Sequence, residues 1–498
     1  MAASTRIAGR DKKKKKDSPS FFASIFQAIA GYFRPLGQAV LHGDIFTYLS
    51  FLFSGLGYFF RGQEQEVLNE EVVHLDDGRY EVVKTKTRRY VSQWLRGLFY
   101  IAIQAAVVLI VIFLGVPNFA RLGLDNLVEG EDNSFLILLN SLIAILAIAF
   151  WFFIHLSSIK GVYKSQVLIE EGKHIKGAKD DLHDLIDEHF YLTTLALPVL
   201  GILVFTLVPT IMMILIAFTN YGASGIDAER FTWVGGVNWG NLIGFGGDGF
   251  AEVFFKQFLW TIIWAVLATF TCFFGGLLLA LLLNSKRTRL TKVWRTGFVI
   301  TIAVPQFVSL MLIRFFLAKD GIVNNLLVYS WHLLENPIPF LTDPFISKVT
   351  IIIVNCWVGF PYLMLMISGI LMNIPGDLYE SATIDGASKP RMFFSITLPY
   401  IMQVCTPYLI SSLVSNINNF NVIYLLTMDT VDPDAVYGRL SARQSDLLIT
   451  WLYNMISSGA SPRYYLGSII GIIMFAVSTL FTLIAFNISQ RNAAQKGA

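Results

Sequence analysis

Cysteine is nearly missing from this sequence: Cys272, Cys356 and Cys405 are three in 498 residues. None stands at a paired spacing, so neither a disulfide framework nor a cysteine-built zinc site is encoded. No Gly-x4-Gly-Lys-Ser/Thr loop occurs, which excludes nucleotide hydrolysis by the chain itself and assigns any ATPase to a separate polypeptide. The one glycine-rich stretch, Gly244-Phe245-Gly246-Gly247-Asp248-Gly249, lacks a preceding strand and a following Lys-Ser/Thr, and reads as a flexible turn. His-Glu-x-x-His, Gly-x-Ser-x-Gly and a carboxylate pair within the apolar runs are also missing, so an enzyme is not expected. The lysine run Lys12 to Lys16 is not followed by an apolar stretch and a small-residue cleavage site, so no signal peptide is read. That run either touches anionic lipid headgroups or remains a solvated tail.

Charge of either sign is scarce, at 15% of residues with a net of +3, whereas 54% are hydrophobic, 14% aromatic, and the mean hydropathy is +0.58. This is a membrane composition. A helix crossing the hydrocarbon core needs about 20 mostly apolar residues, because it rises about 1.5 Å per residue and must satisfy its own backbone. About eight runs qualify: 95–114, 135–157, 191–217, 254–284, 293–316, 347–373, 399–427 and 466–489. The shorter run Ile45 to Phe60 reads as interfacial or re-entrant. Lysine and arginine gather in 158–190 (Lys160, Lys164, Lys173, Lys176, Lys179) and 285–292 (Lys286, Arg287, Arg289, Lys292), which places both segments, and both termini, in the cytoplasm.

The fold class expected is therefore all-α and polytopic. Residues 1–94 form a cytoplasmic and interfacial region, in which Glu71–Leu75 and Arg79–Lys84 flank Asp76-Asp77-Gly78 as a hairpin. Two N-terminal spans (95–157) and a cytoplasmic linker (158–190) follow, then a core of six spans over 191–490. In the loop 429–465, Asp446 to Met455 reads as an external amphipathic helix. Arg314, close to the external end of its span, is expected to snorkel.

Between the sixth and seventh runs lies Ile374-Pro375-Gly376-Asp377-Leu378-Tyr379-Glu380-Ser381-Ala382-Thr383-Ile384-Asp385-Gly386, continuing through Arg391 to Ile396-Thr397-Leu398-Pro399. Asp377 can cap a short helix and Gly386 permits a left-handed exit. Small side chains at Ser381 and Ala382 leave one face open to a groove on another protein, with Glu380 and Arg391 as charges at its rim. The pattern Glu-Ser-Ala-x3-Gly-x9-Ile-x-Leu-Pro resembles the coupling signature of import-type ABC permeases, with Ser381 in place of the usual alanine. The resemblance implies a type I ABC importer permease core. It implies that the coupling helix 377–388, through Glu380, Ser381, Ala382, Asp385, Gly386 and Arg391, docks in a cleft of the ATP-hydrolysing subunit.

The similarity continues from Pro198 to about Asn487, through Phe218-Thr219-Asn220-Tyr221, Trp233-Val234-Gly235, Ala303-Val304-Pro305, Trp357-Val358-Gly359-Phe360-Pro361-Tyr362 and Asn416-Ile417-Asn418-Asn419-Phe420-Asn421. It looks most like the larger permease subunit of the maltose and maltodextrin transporters. Polar side chains at membrane mid-depth need partners or a wet cavity. Asn416 and Asn419, three apart, are expected to share a helix face, and their amides suit sugar hydroxyls; Gly359 and Pro361 loosen the sixth span beside the aromatic face of Tyr362. By resemblance, Val358, Gly359, Tyr362, Ser412, Ser415, Asn416, Asn419 and Asn421 match the family's sugar-contacting positions. Ser415 and Asn421 depart from it, where the family has an aromatic and an apolar residue, which leaves the sugar's identity and length open.

The resemblance further implies partners: a second, homologous permease, two copies of an ATPase using ATP and Mg, and an extracellular binding protein delivering the oligosaccharide, all at the cell membrane. No cofactor bound by this chain is expected. The short loop 218–253, where Gram-negative members carry a folded domain, points to a Gram-positive or similar source. Three rivals stand beside this reading. The coupling motif is equally compatible with an importer of another oligosaccharide or of a glycerol phosphate, though no basic pocket is evident. An ion-coupled secondary transporter would need intramembrane carboxylates or a sodium site and no Glu380-to-Pro399 motif. A membrane glycosyl-transferring enzyme would need catalytic carboxylates or a metal motif.

Overall fold

A computed structural model describes residues 63–74, 80–91, 93–124, 127–128, 132–170, 175–188, 190–223, 229–243, 249–285, 287–430, 434–457 and 462–496. The lysine run 12–16, the run 45–60, the turn 76–78 and the glycine stretch 244–248 lie outside the described residues. The chain forms two compact units, one drawn from Met1–Pro117 and Ser141–Ile202, the other from Asn118–Asn140 and Leu203–Ala498.

In the first unit, strands β1 (Gln63–His74) and β2 (Tyr80–Val91) pair antiparallel in one register, from Gln63 opposite Val91 to His74 opposite Tyr80. They run well beyond the flanks read from the sequence, because the Val, Thr and Tyr residues of β2 favour extended backbone along its whole length. Helix α1 (Trp94–Phe119) follows, then α2 (Ser134–Glu170) and the short α3 (Ala178–Ile186). Polar side chains on α1 and α2 satisfy one another: Tyr100 hydrogen-bonds to His155 Nδ1, and Trp151 Nε1 donates to Gln104, while Trp151 stacks on His155 at 5.0 Å. In an apolar span an unpaired donor is costly, so these pairs fix the register of the two helices. Where the chain turns polar, Arg96 Nε donates to Asp181 at 2.6 Å, and Lys176 bridges Asp184 at 2.6 Å and Glu188 at 2.8 Å. Those two carboxylates push the Lys176 ammonium well above its ordinary range.

The second unit takes α4 (Thr194–Ile216) from Leu203 onward, and adds α5 (Val237–Leu242), α6 (Phe250–Asn284), α7 (Thr291–Ala303), α8 (Gln306–Leu317), α9 (Pro344–Met372), α10 (Gly376–Ile384), α11 (Leu398–Ile417), α12 (Phe420–Thr427), α13 (Ala435–Arg439), α14 (Leu448–Ser457) and α15 (Tyr464–Lys496). Its spine is α6, which contributes to three buried clusters in succession. Phe250, Val253 and Phe254 pack with Trp451 and Met455 of α14 and Ile469 of α15. Trp260, Trp264 and Ala268 pack with Leu310 of α8, Ile351 of α9 and Val422 of α12. Phe273, Leu277 and Ala280 pack with Met364 and Ile367 of α9 and Ile401 of α11.

The approach of α6 to α9 is set by glycines. A Cβ on Gly275 would lie 2.1 Å from the Phe360 ring, one on Gly276 2.5 Å from Leu363 Cβ, and one on Gly359 2.7 Å from Cys272 Sγ. Small residues at a helix crossing let backbones approach closely, which is how apolar helices gain dispersion contact where lipid offers no hydrophobic drive.

Seven helices among the described residues are long and apolar enough to cross a membrane, and the pair Thr291–Ala303 with Gln306–Ser330 makes an eighth when taken as one broken span. That pair corrects the straight fifth run expected over 293–316: it bends by 96°. Val304 is extended (φ −79, ψ 129), as the residue before a proline prefers, and Pro305 ends the hydrogen-bond ladder.

Two further expectations are corrected. Arg314 does not snorkel: its side chain is 10% exposed and pairs with Asp429 at 2.9 Å. The helix expected from Asp446 to Met455 begins at Leu448, and its Trp451 and Met455 are core residues rather than a free face. Asp446 itself is fully buried, accepting from the backbone N–H of Arg443 at 2.8 Å and from Asn454 Nδ2 at 2.9 Å. Arg443 donates to the carbonyls of Thr430 at 2.7 Å and Met428 at 2.9 Å while its Nη1 stays 3.8 Å from the Asp446 carboxylate. Burial pushes the Asp446 carboxyl up to about 6, against the opposing pull of Arg443.

Two measurements check this packing. Gly276→Ala should lower the thermal midpoint of the purified protein, at a cost of about 1–3 kcal/mol for forcing α6 from α9. Gly369→Ala on α9, where a new Cβ meets nothing within 4 Å, should not lower it. The Asp446 carboxyl gives a pH signature with a definite sign. Its folded pKa of about 6 lies above the ordinary carboxyl value of 3.8, so its contribution is whole below about pH 4 and is lost as pH rises through about 6. The loss is on the order of 3 kcal/mol. Thermal midpoints of wild type and Asp446→Asn, compared from pH 4.5 to 7.5, should show this falling component in wild type alone.

Candidate translocation site and coupling helix

The sixth and seventh spans carry the polar residues singled out by the sequence. On α9, Tyr362 is 50% exposed, Gly359 faces Cys272 of α6, and Val358 packs against the cluster around Trp264. On α11 the asparagines are placed differently from the expectation. Asn416 and Asn419 do not share a helix: α11 ends at Ile417, Asn418 is its cap, and Asn419 begins α12. Asn419 is extended (φ −76, ψ 95), and its side chain accepts from Val422 N at 3.3 Å, the bond an N-cap asparagine supplies. An asparagine pair that reads as one face thus breaks the span, because each amide side chain competes with the helix for backbone groups.

The break nevertheless brings the two amides together. Asn419 Nδ2 donates to Asn416 Oδ1 at 3.2 Å, and Asn416 Nδ2 donates to Thr269 Oγ1 of α6 at 3.0 Å and to Ser412 Oγ at 3.5 Å. Four of these groups form one chain of hydrogen bonds linking α6, α11 and α12. Ser415 and Asn421 are exposed and stand outside it. The sequence reading missed Thr269, a buried hydroxyl in the middle of α6; its polarity amid an apolar span was the available signal. It also missed Tyr408 on α11, whose ring lies 5.7 Å from that of Tyr362, tilted by 34°.

The coupling segment folds as α10, spanning Gly376–Ile384. Its cap is Pro375, not Asp377, which sits in the first turn. Proline's fixed φ starts the helix, and the Asp377 carboxylate then complements the positive N-terminal end. Gly386, at φ +75, makes the left-handed exit, and Ala387 N returns to Ala382 O at 2.9 Å. No residue of α10 is buried: Glu380, Ser381, Asp385, Gly386 and Arg391 are exposed, Ala382 is half-buried, and Ile384 is 86% exposed. Two side-chain hydrogen bonds tie the helix to the segment running into α11, one of 2.8 Å between the hydroxyls of Tyr379 and Thr397, the latter buried at the head of α11, and one of 3.9 Å from Thr383 Oγ1 to Met392 Sδ.

A bundle of spans interrupted by an exposed, anchored helix, with amides and tyrosines gathered on the two flanking spans, defines a membrane transport permease. Residues 272–494 match the family described as binding-protein-dependent transport system inner membrane component. The chain is 30% identical over 390 residues to the galactooligosaccharides transport system permease protein of Bacillus subtilis (strain 168), covering 77% of this chain and 90% of that protein. It is 30% identical over 408 residues to a maltodextrin transport system permease protein of the same strain, covering 79% and 91%. A crystal structure of a bacterial ABC transporter involved in alginate import shares the fold, with a TM-score of 0.50 at 24% identity, over 62% of this chain and 98% of that one. The chain belongs to this family of ABC importer permeases.

Thr269→Val removes the acceptor of the Asn416 amide without changing volume. It should lower the thermal midpoint by an amount corresponding to about 1 kcal/mol, and Thr269→Ser should restore it, read in the same melting assay.

Proposed function

We propose that this chain is the translocation subunit of an ABC importer that carries maltose and maltodextrin-type oligosaccharides by alternating access. The observation that carries the reading is the placement of α10: an exposed helix whose flanks are α9 and α11, the two spans bearing Tyr362 and the Asn416 network. A helix that offers its surface outward yet is tied to Thr397 can hand a partner's motion to both spans at once. The maltodextrin permeases among the relatives support the cargo.

In this mechanism a separate ATPase pair binds ATP with Mg, closes, and carries Glu380, Ser381, Ala382, Asp385, Gly386 and Arg391 with it. The spans open outward and accept sugar from an extracellular binding protein. Hydrolysis and product release reset them. A second, homologous permease completes the pathway in the cell membrane, with the N- and C-termini of this chain in the cytoplasm. Sugar hydroxyls exchange hydrogen bonds with the amides of Asn416 and Asn419, whose mutual bonds keep them satisfied when the site is empty, and the ring of Tyr362 supplies an apolar face. Val358, Gly359, Ser412, Ser415 and Asn421 complete the proposed lining. The chain performs no catalysis and binds no cofactor of its own. A galactooligosaccharide cargo is the second reading, favoured by the relative of that name.

The test is ATPase activity of the reconstituted complex with its binding protein. Maltose and longer maltodextrins should stimulate hydrolysis, and Asn416→Ala should weaken that stimulation about tenfold at subsaturating sugar, as expected for one charge-neutral hydrogen-bonding group. Stimulation by galactooligosaccharides alone would move the cargo to the second reading. Hydrolysis indifferent to every sugar would remove the oligosaccharide assignment.

A further inference from the structure

We propose that Tyr408 is a cargo-contacting residue that, with Tyr362, forms an aromatic corner selecting for oligosaccharide length. The inference rests on the reading that the Asn416 face of α11 meets the cargo.

Tyr408, Ser412 and Asn416 follow one another at intervals of four on α11, so their side chains share one face of the helix. The Tyr408 ring meets the Tyr362 ring across the α9–α11 gap at 5.7 Å and 34°. The ring is held from behind, since Tyr408 packs on the buried cluster of Phe273, Leu277, Met364, Cys405 and Leu409. Tyr362 is half exposed. One tyrosine is therefore fixed against the core while its partner presents a free face.

Two rings inclined to each other form a concave apolar wall edged by hydroxyls. That is the surface a pyranose uses: its C–H face lies on an aromatic ring while its rim hydroxyls take hydrogen bonds. Packing alone would explain a buried ring. It does not explain a tyrosine whose ring abuts a half-exposed aromatic on the helix face that also carries Ser412 and Asn416.

The spacing gives this corner a specificity. Eight residues of helix separate Tyr408 from Asn416, about 12 Å along the axis, so Tyr408 and the amide network engage different sugar units. A disaccharide held at the amides and on the free face of Tyr362 leaves Tyr408 largely unused, and a longer chain reaches it. Tyr408 thus acts on chain length, whereas Asn416 acts on every sugar.

The experiment measures the half-saturating concentration of maltose and of maltotetraose for stimulated ATPase in the complete reconstituted complex. Wild type is compared with Tyr408→Phe, Tyr408→Ala and Asn416→Ala. Tyr408→Ala should raise the maltotetraose value about threefold to tenfold and the maltose value less than twofold, with Tyr408→Phe recovering most of the loss. Unchanged values in Tyr408→Ala while Asn416→Ala shifts both sugars would overturn the inference and leave the reading of the site standing. Equal shifts for both sugars would overturn the length selectivity. Indifference of both variants would overturn the inference together with that reading. Should Tyr408→Ala fail to assemble, Tyr408→Leu, which keeps apolar bulk without a ring, carries the same comparison.

Discussion

The contact on which the second unit depends is the backbone approach of α6 to α9 through Gly275, Gly276 and Gly359. Within lipid, two apolar helices gain little by burying surface from one another, so their attraction must come from close dispersion contact and from hydrogen bonds. Glycine supplies the first by removing the Cβ that would hold the helices apart. The second follows from the same proximity, as Asn355 Nδ2 reaches Cys272 Sγ at 3.3 Å and Asn284 Nδ2 reaches Ser368 Oγ at 3.0 Å across this interface. With α6 and α9 fixed, α11 packs on both through Phe273, Met364 and Ile401, and the Asn416–Thr269 bond becomes geometrically available.

This arrangement explains how one chain can be both stiff and responsive. The three clusters along α6 are buried, whereas α10 is held by the Tyr379–Thr397 and Thr383–Met392 hydrogen bonds and the short link from Met372 to Gly376. A displacement imposed on α10 therefore passes into the ends of α9 and α11 before it disturbs the core. The break at Asn418 and the bend at Pro305 divide the neighbouring spans into shorter rods. Broken spans concentrate angular change at their joints, where a few residues absorb it.

Much of this was legible beforehand, and the exceptions have physical reasons. Apolar runs of about 20 residues are a strong signal because lipid leaves the backbone no other solution, and seven of the eight read from the sequence coincide with helices long and apolar enough to cross a membrane. The fifth run, 293–316, is mostly apolar, so hydropathy could not reveal that Val304-Pro305 turns it by 96°. At 416–421, spacing arithmetic assumed an uninterrupted helix, and the capping preference of Asn419 won locally. Arg314 and Asp446 were read by their charge as surface groups, but Asp429 offered Arg314 a partner, and the Arg443 backbone N–H and Asn454 Nδ2 offered Asp446 donors inside the fold. The Arg314–Asp429 pairing is long-range in the sequence. Thr269 and Tyr408 were overlooked for the same reason, since their meaning lies in what stands across the helix gap, at Asn416 and at Tyr362.

The central claim is that α10 is the point at which an ATPase drives these spans. The most direct measurement places a photo-crosslinking amino acid at Ser381, on the exposed face of α10, in the assembled complex. The account predicts a crosslink to the ATPase subunit whose yield or position changes between the nucleotide-free and ATP-bound states. A crosslink to lipid or to other chains alone, in both states, would contradict it.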